Sequence, residues 1–345
     1  GTLFYRLIKI VNGNVEDMMK HKLAMIFTGG TIAMKIDPDL HAAIPALNAD
    51  EILGMIKNVR DLTDLEIINF SNLPSPHITP DIMMELYKKT KELSENESIT
   101  GIIITHGTDT LEETAYLLDL LLDTPKPVII VGAMRNFSEL GYDGSSNLAA
   151  AICTALSPKS RGKGVLVVMN NEVNAASQVT KTNTLSLDTF KSPEFGPLGI
   201  VDNDEVIYYR NMPDRQRIQT DKIEKKVALI KAVPGLGSDI FSFYIQSGYK
   251  GIVIEGLGRG NVPPQMISGI KQAIIASIPV VLVSRCNTGR VLYTYGYEGG
   301  GKHLRDMGVI FGGNLPGQKA RIKLMLLLGM TNDMDKIREL FETTI

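Results

Sequence analysis

Short runs of β-branched and other apolar residues alternate with amphipathic helical patterns along this chain. That alternation restricts the fold more than any other feature. Strands are expected at 22–27, 65–70, 101–105, 127–132 and 164–169, then at 226–232, 250–255 and 278–284. Their continuous apolar character is that of strands buried on both faces. Helices are expected between them, at 80–93, 111–122 and 144–157, then near 239–247, 264–276, 317–328 and 334–342. Thr79 reads as an N-cap with Pro80 at N1, where a missing N–H costs nothing. Thr110-Leu111-Glu112-Glu113 reads as a capping box that opens 111–122. Strand and helix in turn predict an α/β fold with a doubly wound, mostly parallel sheet.

The 345 residues suffice for two domains. A polar stretch with little periodicity begins at Asn211, and a new alternation begins at Val227. The expected organisation is a large α/β domain over 20–212, a linker over 213–225 and a smaller α/β domain over 226–345, with 1–19 as an extra N-terminal segment. Net charge is −2 and no basic stripe is visible, which argues against a nucleic-acid partner. No apolar run reaches the length of a membrane helix. Leu3 to Val11 is broken by Arg6 and Lys9 and is followed by no small-residue cleavage site, so it does not read as a signal peptide. Cys153 and Cys286 read as reduced thiols of a cytoplasmic protein. The histidines and cysteines show no paired spacing, so no metal site is expected.

Two threonine-bearing segments stand where apolar strands should end. Thr28-Gly29-Gly30-Thr31-Ile32-Ala33 follows Leu23 to Phe27, and Thr105-His106-Gly107-Thr108-Asp109-Thr110 follows Ile102 to Ile104. Ligands of open α/β sheets bind outside the carboxyl ends of strands. Hydroxyls and a carboxylate meeting there are the raw material of acyl transfer by a threonine nucleophile. The bland alternative for the first segment is a tight or phosphate-cradling turn, but it lacks the G-x-G-x-x-G spacing and the Gly-Lys-Ser/Thr ending of such loops. The bland alternative for Thr108 and Asp109 is helix capping, a place that Thr110 already fills. His106 reads as structural. Lys181, a lysine outside any charge run, has solvated surface charge as its bland reading. Pro74-Ser75-Pro76 reads at least as a rigid turn into helix 80–93.

Thr28 to Ala33, Thr105 to Thr114, Val131-Gly132-Ala133-Met134-Arg135 and Val179-Thr180-Lys181-Thr182-Asn183-Thr184 occur in one order. Together they resemble the signature blocks of bacterial-type L-asparaginases. The likeness continues through Phe195-Gly196-Pro197-Leu198-Gly199 and Gln318-Lys319-Ala320-Arg321. By that resemblance, Thr31 attacks the side-chain amide of L-asparagine and forms an acyl-enzyme. Thr108 lies beside the reacting amide, Asp109 holds the α-ammonium, and Lys181 is the proton acceptor of a Thr-Lys-Asp arrangement. Ser75, Pro76 and Ala133 are implied at the substrate. Pro76 departs from the family pattern, since it has neither an amide side chain nor an N–H. A tyrosine common in the loop after the nucleophile is missing from 33–48, and an asparagine common near Leu236 is missing too. Glu298 matches a cross-subunit glutamate loosely. The resemblance implies no cofactor and a homodimer or homotetramer. The alternatives are the glutaminase-type subunit of a transfer-RNA-dependent amidotransferase and a non-catalytic amino-acid sensor. The former usually carries a further N-terminal domain, for which the segment before Leu23 is expected to be too short.

Overall fold

The structure is a computed structural model that describes residues 22–54, 63–212 and 215–343. The expected segment 1–19 and residues 213–214 of the expected linker lie outside them. The chain divides into two compact units, Gly1–Arg215 and Gln216–Ile345.

In the first unit β1 (Lys22–Gly29) leads through a 3-10 turn at Thr31–Ala33 into a hairpin of β2 (Met34–Asp37) and β3 (Ala42–Pro45). Then come α1 (Ala49–Gly54), β4 (Asp64–Leu73), α2 (Pro80–Glu95), β5 (Ile99–Thr105), α3 (Leu111–Leu121), β6 (Val128–Val131), α4 (Gly144–Leu156) and β7 (Val165–Met169). The unit ends with β8 (Glu172–Ala175), β9 (Thr180–Lys181), β10 (Phe190–Lys191), β11 (Gly199–Asp202) and β12 (Glu205–Tyr208). The main sheet runs β12-β11-β8-β7-β6-β5-β1-β4. Its β4-β1-β5-β6-β7 part is parallel. Leu23 to Phe27, Ile102 to Ile104 and Val128 to Val131 are buried throughout, as strands covered on both faces must be. α3 is buried at every residue but Glu113, its polar Glu112, Thr114 and Asp119 included.

Beyond β7 the sheet turns antiparallel through β8, β11 and β12. No strand was expected there, because these are short and carry polar residues. Their signal lay in the turns instead. Asn170-Asn171 and Asn203-Asp204 each have positive φ at both residues, the backbone that a two-residue hairpin requires. The expected capping of α2 is present, with the Thr79 hydroxyl accepting from the Ile82 N–H and Pro80 in the first turn. The expected capping box of α3 is not: Thr110 sits at the N-cap but makes no side-chain cap bond.

The second unit holds β13 (Val227–Lys231), α5 (Asp239–Gln246), β14 (Gly251–Gly256), α6 (Ile267–Ile275), β15 (Val280–Ser284), α7 (Gly301–Met307), β16 (Ile310–Phe311), α8 (Gly317–Met330) and α9 (Met334–Glu342). Its four strands are parallel in sequence order. Phe241, Met266, Ile270, Leu282 and Leu304 share one core. Lys323 on α8 is buried with its Nζ 4.7 Å from the Phe341 ring centre, and that burial pushes the amine down to about 7. Among the described residues no helix is long and apolar enough to cross a membrane.

Candidate active site

Register puts the loops of the first unit side by side. Phe27 pairs with Thr105, Thr105 with Val131, and Gly29 with Leu73, so β1, β4, β5 and β6 all end at one level. The loops that follow are then stitched together. The Thr28 hydroxyl donates to the Thr105 carbonyl at 2.7 Å, the Ser71 hydroxyl to the Thr28 carbonyl at 2.8 Å, and the Gly30 N–H to the Leu73 carbonyl at 3.1 Å.

Glycine makes this closeness possible. Gly30 has φ 85° and ψ −178°, a region essentially closed to other residues. A Cβ on Gly30 would also overlap the Gly107 backbone, and one on Gly107 would come within 2.7 Å of the Ser75 Cβ. Three loops therefore pack closely, Gly30 against the Gly107 backbone and Gly107 against Ser75. Thr31 follows Gly30 directly and is half-buried, while Ile32 and Ala33 anchor its turn in the core.

Thr108, Asp109 and Lys181 are joined by direct bonds. Lys181 Nζ donates to Thr108 Oγ1 and to Asp109 Oδ1, each at 2.8 Å. The lysine is held by the two-stranded ribbon of β9 and β10, where it pairs with the buried Phe190. The ribbon is closed by the Thr182 N–H and hydroxyl, both bonded to the Thr189 carbonyl. The lysine side chain is only 18% exposed, whereas that of Asp109 is 63% exposed, so the carboxylate faces outward from a shielded amine. Gly30, the residue before Thr31, lies against Gly107, the residue before Thr108.

Ser75 is buried in a 3-10 turn, Ser75–His77. Its hydroxyl accepts from the Asp109 N–H at 3.1 Å and keeps its own proton to donate. Its carbonyl accepts from the Thr110 hydroxyl at 2.9 Å, which is where that hydroxyl goes instead of capping α3. Pro76 is exposed in mid-turn. Ala133 is fully buried just beyond β6, one residue after Gly132, whose position packs against the His106 carbonyl. Glu298 belongs to the second unit, where it is exposed ahead of α7.

His106 is buried. Its Nδ1 bonds the Gly107 carbonyl at 2.7 Å, and its Nε2 meets the Thr114 hydroxyl at 2.9 Å. Nδ1 is therefore the protonated nitrogen, and Nε2 accepts. Burial holds the imidazole down at about 4, so it is neutral and locks the 106–108 loop to α3.

Sequence reasoning missed Asp143 and Asn147. The Asp143 carboxylate accepts from the Met134 and Arg135 N–H groups at 3.0 and 2.9 Å, and Asn147 Nδ2 donates to the Gly132 carbonyl at 3.0 Å. Nothing local in the sequence marks an aspartate as the partner of main-chain N–H groups 8 and 9 residues before it. Among the described residues no cluster could hold a metal ion.

Residues 22–214 match the family model described as Asparaginase, N-terminal, and residues 226–341 match that of the Glutaminase/Asparaginase C-terminal domain. An L-asparaginase of Bacillus licheniformis is 36% identical over 310 residues, which cover 90% of this chain and 96% of the relative. A glutamyl-tRNA(Gln) amidotransferase subunit of Methanosarcina barkeri is 35% identical over 327 residues, covering 91% of this chain and 76% of that one. Among solved structures, a probable cytoplasmic L-asparaginase from Campylobacter jejuni matches with a TM-score of 0.84 at 33% identity, covering 94% of this chain and 99% of the other. The chain belongs to the asparaginase family of amidohydrolases.

Proposed function

We propose that the protein hydrolyses L-asparagine to L-aspartate and ammonia through a threonine acyl-enzyme. The observation that carries this reading is the single amine of Lys181, 2.8 Å from both Thr108 Oγ1 and Asp109 Oδ1. A threonine hydroxyl is a weak nucleophile and needs a proton acceptor within reach. In this reading Thr31 Oγ1 attacks the side-chain amide carbon. Its proton passes by way of Thr108 and Lys181 to the departing nitrogen, the C–N bond breaks and ammonia leaves. Water then attacks the Thr31 ester, and the threonine regains its proton as aspartate is released.

Asp109 takes the substrate α-ammonium with its outward carboxylate. Ser75 donates to the α-carboxylate, Pro76 withholds the N–H another residue would offer there, and Ala133 lies beside the amide. No cofactor takes part. Glu298 and a homodimer or homotetramer belong to this proposal as well. So does a cytoplasmic location, supported by the low cysteine content and by the likeness to the Campylobacter jejuni protein, which is described as cytoplasmic.

The test is ammonia release by the purified chain from L-asparagine, L-glutamine and D-asparagine, with Thr31→Ala beside it. Wild type should turn over L-asparagine unaided, and Thr31→Ala should lose several orders of magnitude in kcat with its unfolding midpoint unchanged. Near-normal ammonia release by folded Thr31→Ala would remove the nucleophile assignment. The relative named as an amidotransferase subunit favours a second reading. Turnover that requires a partner protein and aminoacylated transfer RNA would establish it in place of the first.

A further inference from the structure

Tyr142 bridges two of the loops that build the site. Its hydroxyl donates to the Ile32 carbonyl at 2.8 Å, and Ile32 follows Thr31 within one three-residue 3-10 turn. The next residue, Asp143, clamps the Met134 and Arg135 N–H groups. Neighbouring side chains therefore tie the loop after β6 to the turn that carries Thr31.

The seat of the tyrosine ring is built into the chain. A Cβ on Gly144 would overlap the Tyr142 hydroxyl and ring carbons. Gly144 has no positive φ that would call for glycine by itself. It stands at the start of α4, where alanine would serve the helix better. The space it leaves is filled by the tyrosine.

The segment before the tyrosine is sewn along β2. The Phe137 N–H donates to the Met34 carbonyl and the Ile36 N–H to the Ser138 hydroxyl, each at 3.0 Å. The Phe137 ring packs edge-on against Tyr142, centroids 5.6 Å apart. Burial and the nearby Asp143 push the phenol pKa up, so the hydroxyl stays a donor.

We propose that Tyr142 is a positioning residue for Thr31. Seated over Gly144, its hydroxyl fixes the Ile32 carbonyl and thereby the direction of the threonine side chain. The assignment rests on reading Thr31 as the nucleophile. A 3-10 turn has weak internal hydrogen bonds, and a reacting atom displaced by about 1 Å costs on the order of 10²-fold in rate. The substrate's charged groups are held elsewhere, at Ser75 and Asp109, so binding should be spared.

The experiment compares wild type, Thr31→Ala, Tyr142→Phe, Gly144→Ala and the Tyr142→Phe/Gly144→Ala double variant. Each is assayed for kcat and KM on L-asparagine and for its unfolding midpoint. Tyr142→Phe should lose roughly tenfold in kcat with KM nearly unchanged, since one hydrogen bond and no packing volume is removed. Gly144→Ala should lose at least as much, and the double variant should be no worse than the poorer single, because both changes break one bond. A Tyr142→Phe enzyme with wild-type kcat would overturn the assignment, since a ring needed only for packing loses nothing as phenylalanine. A change in KM alone, or additive losses in the double variant, would overturn it too. If wild type releases no ammonia, or Thr31→Ala still does, the reading of the site fails and takes this assignment with it. With those two controls in order, a silent Tyr142→Phe sinks this inference alone.

Discussion

The Lys181 nitrogen has two oxygens at 2.8 Å, and its side chain is largely shielded. Lys181→Met keeps the stem and removes the nitrogen. A drop in kcat of about 10²–10⁴-fold is expected, with a smaller change in KM. Finding that KM alone moves would make Lys181 a binding residue. His106 bears on stability instead. Its folded-state pKa is held at about 4, below the ordinary 6.5. Below 6.5 the unfolded chain takes a proton that the folded chain refuses, so the contribution is intact above that pH and is lost as the pH falls from 6.5 to about 4. The full loss is on the order of 3 kcal/mol. Urea midpoints followed downward from neutral pH should show this slope in wild type and not in His106→Gln; parallel slopes would refute it. Residues of the site were legible in the sequence to different degrees. The Lys181 assignment came from a resemblance between blocks of sequence, since nothing in its local periodicity marks it. Tyr142 was illegible because its partner is a main-chain carbonyl 110 residues away.

At the scale of elements, the glycine turn after β1 leaves no room for a side chain at Gly30. Gly30→Ala would place a Cβ against the Gly107 backbone and force a glycine-only conformation on alanine. We expect a destabilisation of about 1–3 kcal/mol together with near-complete loss of activity, measured by thermal unfolding and ammonia release. A fully active, undiminished Gly30→Ala protein would show that the loops need not touch. The parallel strands and long helices were legible because burial on both faces demands continuous apolar runs. β8, β11 and β12 were not, because four-residue strands with a charged residue at one end are too short to show a period, and only their Asn-rich turns speak for them. The Thr110 capping box failed for a different reason. A competing acceptor, the Ser75 carbonyl, comes from a loop that no local rule can bring near.

For the molecule as a whole, the proposed function carries an expectation about substrate choice. Pro76 brings no N–H to an exposed turn, and the Pro234–Ser238 stretch has no asparagine. Fewer polar anchors leave a longer side chain harder to hold in its reactive pose. L-asparagine should be preferred to L-glutamine by at least about tenfold in kcat/KM, the worth of one good hydrogen bond. Equal values for the two amides would sink the argument. The bonds that define the site also join distant parts of the chain: Thr28 to Thr105 across 77 residues, Lys181 to Thr108 across 73. Closing such long loops is slow, because chain entropy is surrendered before any contact rewards it. During synthesis, then, a ribosome must extrude the chain as far as β10 before the ribbon that carries Lys181 can close on the Thr108 loop, and a nascent chain that ends between Thr108 and Thr180 carries the threonine loop without the lysine that binds it.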